Sequence, residues 1–118
     1  MSADYVDWPG YVDWPGQSDA KYRYFFGNIN QAYAVPANYA FVKRLPNGNF
    51  VPLYFGESGD LAGRDLPNHE KLAAANRLGA THFMSHKASD SEASRQVEER
   101  DLIQHWNPPL NIEHRSVR

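Results

Sequence analysis

A chain of 118 residues, 42% apolar and 14% aromatic, has the size and composition of one packed domain rather than a disordered segment. It lacks cysteine, which excludes disulfides, thiolate zinc centres and cysteine nucleophiles. Its net charge of -2 argues against a uniformly basic nucleic-acid binder. The uneven distribution of charge weakens that exclusion. Residues 1–20 hold Asp4, Asp7, Asp13 and Asp19 and no basic side chain, so the rest of the chain carries all 12 Lys and Arg and all but four of the acids. No apolar run reaches the ~18 residues of a membrane span. The N-terminus lacks a basic-then-apolar leader pattern, so a cytoplasmic protein is the expectation.

In chain order, the first feature is a tandem repeat, YVDWPG at 5–10 and again at 11–16. Two copies are too few for a solenoid. Trp8 and Trp14 each precede a proline and should be extended, with Pro-Gly turning the chain afterwards. Residues 1–20 therefore read as an acidic, aromatic arm, loosely ordered or strapped on the domain or a partner, and residues 21–118 as the domain proper. A homo-oligomer or protein partner held through the arm stays open.

KYRYFF alternates and suits an added strand or an edge segment. NYAFVKRL (38–45) and FVPLYF (50–55) are strands joined at Asn47-Gly48 into a hairpin. Pro52 should sit at a bulge or where no ladder N–H is needed. Within the second strand Val51, Leu53 and Phe55 alternate with Pro52 and Tyr54, which predicts two opposite faces. DLAGRDL reads as a short helix with Asp60 as its possible cap. NHEKLAAANRLG (68–79) is a helix with Asn68 as N-cap and Gly79 as stop. THFMSHKA alternates as a third strand, and 89–106 is a long helix stopped before Asn107-Pro108-Pro109. His82, Met84 and His86 share a strand face, a core or surface face rather than a zinc site, since further ligands are lacking nearby. The sum is an α/β (α+β) protein with a small three-stranded antiparallel sheet flanked by helices.

The last helix carries the most informative side chain. At about 100° per residue, Leu102, Ile103 and Trp106 form one apolar arc. Glu99 falls inside it, within about 40° of Ile103 and 20° of Trp106, while Glu98 points well away, towards solvent. An acid buried unpaired costs several kcal/mol. Glu99 therefore wants a cation: a neighbouring arginine such as Arg95 or Arg100, or a metal.

These pieces together resemble a known family. Ala37-Asn38-Tyr39, then Tyr54-Phe55-Gly56, Arg64, His69, Glu99 and the ending NPPLN at Asn111 are similar to the motifs of GIY-YIG nucleases, over about residues 37–111. The resemblance implies a three-stranded GIY-YIG-like fold and hydrolysis of DNA phosphodiester bonds, with duplex DNA as the partner and one Mg²⁺ or Mn²⁺ as cofactor. Residue by residue it makes Tyr54 the base or relay that activates water and Arg64 the phosphate contact. It makes Glu99 the metal ligand and has Tyr39 orient water and Tyr54. His69 is then a proton relay or phosphate contact, and Asn111 holds the glutamate or closes the site. Such residue types suit the chemistry: a planar guanidinium matches phosphate, and one carboxylate suits a hard, water-rich cation. Ala37, Asn38 and Phe55 depart from the family pattern at packing positions. Glu57, where a lysine is common, puts a negative charge near the presumed phosphate. The alternative is a catalytically weak module on the same scaffold that binds nucleic acid or protein.

Overall fold

The computed structural model describes residues 10–111. Its hairpin is the one expected. Strand β3 (Ala37–Arg44) and strand β4 (Phe50–Ser58) meet at a turn in which Gly48 takes φ +89° and the Asn49 amide donates to Asn47 Oδ1 at 2.9 Å. Only glycine adopts that backbone without strain. Phe41 pairs with Tyr54 but Val42 with Pro52, leaving Leu53 as an extra residue. Pro52 thus sits beside a bulge, as its missing N–H requires. The bulge also corrects the expected alternation. Leu53 and Tyr54 pack with the same layer, and Phe55 joins the opposite one.

Two more strands precede the hairpin, β1 (Tyr11–Pro15) and β2 (Lys21–Gly27), and one follows it, β5 (His82–Lys87). All five form one antiparallel sheet in the order β1-β2-β5-β3-β4. The sheet is therefore five-stranded rather than three-stranded. The second YVDWPG copy supplies β1, and the expected arm-to-domain boundary at residue 20 falls in the turn between β1 and β2. Trp14 is buried against Trp106 and Phe55, with ring centroids 5.2 and 5.9 Å away. Trp8 and nearly all of the first copy lie outside the described residues.

Helices cover both faces. Ala37, Tyr39, Phe41 and Phe83 pack under Leu61, Leu66, Leu72 and Ala75, which belong to a segment of two 3-10 turns (Ala62–Arg64 and Leu66–Asn68) and helix α1 (Leu72–Arg77). Ala40, Val42, Phe55 and Met84 pack against Leu102 and Ile103 of helix α2 (Glu92–Trp106). Helix α1 starts four residues later than expected because His69 is extended, at φ -60° and ψ 136°. Asn68 is consequently no helix cap; its amide donates to Asp65. Gly79, at φ +92°, does end the helix. Asp60 Oδ1 accepts from the Gly63 amide at 3.2 Å, and Ser91 Oγ caps α2 by accepting from the Ser94 amide.

Glu98 corrects the helical wheel. Its carboxylate accepts from Tyr24 Oη at 2.8 Å and from His86 Nε2 at 2.6 Å. Strand β5 (His82–Lys87) and the added strand β2 bring His86 and Tyr24 beneath this flank of α2.

Candidate active site

Tyr39 lies in β3 opposite Gly56, and the pairing explains the glycine. A Cβ at position 56 would stand 2.6 Å from Tyr39 Oη, so only a bare backbone leaves room for the ring. The phenol is buried and meets His69 Nε2 at 2.8 Å. On the other side of the imidazole the Lys71 amide donates to Nδ1 at 3.0 Å. Nδ1 must then be bare, so the neutral ring carries its proton on Nε2 and donates it to Tyr39 Oη.

Phe41, Tyr54 and Tyr39 enclose the imidazole, their ring centroids 5.1, 5.2 and 5.7 Å from its own. This burial, reinforced by the Arg64 charge, lowers the His69 pKa to about 4. Burial likewise pushes the Tyr39 phenol well up. Both groups are neutral at pH 7 and serve as hydrogen-bonding partners there. The sign of the linkage is definite. The unfolded imidazole takes up its proton as pH falls through about 6.5, whereas the folded one resists until about 4. Stability should therefore decline as pH drops across that window, by up to about 2 kcal/mol at pH 4.5. Urea midpoints at pH 7 and 4.5 should show the decline in wild type and a smaller one in His69→Gln. Glu70, held down to about 2 by Arg64, stays ionised throughout.

Arg64 ends the first 3-10 turn and places Nη2 2.8 and 2.7 Å from the two oxygens of Glu70. Its charge also acts on the Tyr39 phenol. Tyr54 is half-buried in β4, its ring centroid 6.2 Å from that of Tyr39. Four of the six expected residues, Tyr39, Tyr54, Arg64 and His69, therefore form one cluster on the α1 face of the sheet.

The other two come from the C-terminal part, and α2, which carries Glu99, packs on the layer opposite this cluster. Asn111 is buried, accepts from the Phe55 amide at 2.7 Å and donates to the Phe55 carbonyl at 2.8 Å. It braces the outer edge of β4 one residue beyond Tyr54. Glu99 is half-buried on α2, on the ridge between Arg95 and Ile103, and its charge reaches the Tyr24 phenol.

Three features escaped sequence reading. Glu70 lies six residues from Arg64 across a 3-10 turn and the extended His69, an irregular path with no single period to flag the pair. Asn38 is buried and donates to the Arg95 carbonyl at 3.0 Å, a link that an apolar residue could not make. Arg95, itself buried, pairs with Glu57 at 2.8 Å and donates to the carbonyls of Ser89 and Asp90. The acid at position 57 is thus neutralised by α2, which corrects its expected role as a repulsive charge near phosphate. Among the described residues no three His, Asp or Glu side chains gather as a metal cage. Nor is any helix there long and apolar enough to cross a membrane.

No protein-family model and no curated protein sequence matches the chain. Solved structures do. The GIY-YIG N-terminal endonuclease domain of UvrC from Thermotoga maritima, bound to magnesium as its catalytic divalent cation, superposes with a TM-score of 0.57 at 24% identity, over 71% of this chain and 91% of that one. An asparagine-to-alanine mutant of the same domain gives 0.57 at 22% identity over 72% and 91%. A tyrosine-to-phenylalanine mutant gives 0.55 at 24% over 72% and 91%.

Proposed function

From a chain with the GIY-YIG endonuclease fold, we propose a cytoplasmic, divalent-metal-dependent endonuclease that hydrolyses DNA. The observation that carries this reading is the meeting of Tyr39, Tyr54, Arg64 and His69 at one spot. An inert sheet face has no need of two phenols, an imidazole and a guanidinium in contact.

In hydrolysis a water oxygen forms a bond to phosphorus, the bond to the 3′ oxygen breaks, and the water proton leaves. Tyr54 is the less buried phenol and, as the phenolate that Arg64 and the cation would favour, would receive that proton and become the neutral phenol. Tyr39 holds Tyr54 and the water in place and is itself oriented by the Nε2–H of His69. Arg64 neutralises the equatorial phosphate oxygens, leaving Glu70 for the substrate as it does so. Asn111 fixes the backbone beside Tyr54. Glu99 is the metal ligand: a lone carboxylate fits Mg²⁺ or Mn²⁺, which keep most of their waters, better than an ion needing a protein cage. When bound, that ion supplies Lewis-acid stabilisation of the departing oxygen.

A binding-only module draws support from the Arg64–Glu70 pair, which occupies the guanidinium. Nicking of supercoiled plasmid in Mg²⁺ or Mn²⁺ decides between them. Arg64→Ala should slow nicking by about 10²- to 10³-fold. Equal rates in wild type and variant would assign the activity to a contaminant, and binding without nicking would favour the module.

A further inference from the structure

The added strands β1 and β2 do more than enlarge the core. Residues directly opposite one another in a sheet share a face. Tyr11 opposes Phe25, Phe25 opposes Ser85, Ser85 opposes Tyr39 and Tyr39 opposes Gly56. One row of side chains therefore runs straight from the added hairpin to the candidate site. Phe25 stands two strand spacings, about 10 Å, from Tyr39 along it.

The hairpin end of this row is open and aromatic. Phe25 is 51% exposed and Tyr33 79%, two of the four exposed large apolar side chains among the described residues. Both line a groove of about 510 Å³ with Leu61, Phe83, Ser85 and Lys87, and none of its lining residues is acidic. Tyr11 extends the aromatic surface, its ring centroid 6.0 Å from that of Phe25, with the Arg23 guanidinium 4.0 Å above it. The Tyr33 carbonyl accepts from the Ala62 amide at 3.0 Å, tying the groove wall to the turn that carries Arg64.

We infer that this groove holds the unpaired strand of a nucleic acid beside the scissile phosphate, its bases stacked on Phe25 and Tyr33 and its backbone on Lys87. The inference rests on the nuclease reading and narrows its substrate to single-stranded or locally unpaired DNA. Aromatic side chains can stack on a base only where it is not already stacked within a duplex. Isolated π-faces beside a single lysine suit such a strand better than a duplex, which asks for a broad basic surface.

The test is fluorescence anisotropy in EDTA, with labelled oligothymidylate and a blunt duplex of equal length. Wild type should bind the single strand at least about tenfold more tightly. Phe25→Ala with Tyr33→Ala should weaken that binding about tenfold or more, leaving the duplex and the salt slope unchanged because no charge is lost. Lys87→Ala should reduce the slope of log K against log salt by about one. Tyr33→Ala alone alters an exposed loop side chain and should still give part of the loss if the double variant folds poorly. Equal affinity for both ligands, or single-strand binding indifferent to Phe25 and Tyr33, overturns the inference. Arg64→Ala should keep the preference. A protein that shows it yet cleaves neither plasmid nor the labelled single strand in Mg²⁺ upholds the groove and refutes hydrolysis, whereas cleavage with no aromatic dependence does the reverse.

Discussion

Glu99→Gln is expected to leave supercoiled plasmid intact, with nicking down by about 10³-fold or more. The substitution keeps the length and shape of the side chain and removes its charge, so it tests the carboxylate rather than the packing of α2. Glu99 is half-buried on the ridge that also carries the buried Arg95 and Ile103. A neutral amide fits there but offers a hard divalent cation far less. Titration with Mn²⁺, followed by electron paramagnetic resonance, should show one site in wild type and its loss in Glu99→Gln, with the circular dichroism spectrum unchanged. Wild-type nicking by this variant would remove Glu99 from the mechanism.

The second large effect is on stability. Trp14→Ala should cost about 3–5 kcal/mol, seen as a fall of roughly 2 M in the urea midpoint. The indole is 2% exposed and meets Trp106 and Phe55 edge-on, pairs that add to plain burial. Trp106 in turn donates from Nε1 to the Pro15 carbonyl at 2.9 Å, so β1 and α2 hold one another. Loss of the indole leaves a cavity against Phe55, on the sheet face opposite Tyr54, and nicking should weaken along with stability because β4 carries both residues. A cost below about 1 kcal/mol would mean that β1 is a peripheral strap after all.

Much of this fold was legible without coordinates because its signals are local. Asn47-Gly48 between two apolar runs specifies a hairpin, Gly79 a helix end, and Pro52 a place where the ladder must give way. The spacing of Tyr39, Tyr54, Arg64, Glu99 and Asn111 was enough to suggest the fold that the solved endonuclease domains share. Local signals failed where a distant partner chose the outcome. Asn68 looks like a helix cap, yet His69 is pulled extended by burial against Tyr39, and α1 begins only afterwards.

Local sequence signals therefore settled the three central strands β3, β4 and β5, the helices α1 and α2, the hairpin turn and the chemical types available to a site. Tertiary structure alone decided the width of the sheet, the face on which each β4 side chain lies, and the pairing of Glu57 with Arg95, Glu98 with Tyr24 and His86, and Glu70 with Arg64. The physical reason is range. Backbone preferences act over a few residues, whereas a buried charge is settled by whichever opposite charge or donor the folded chain brings within hydrogen-bonding distance.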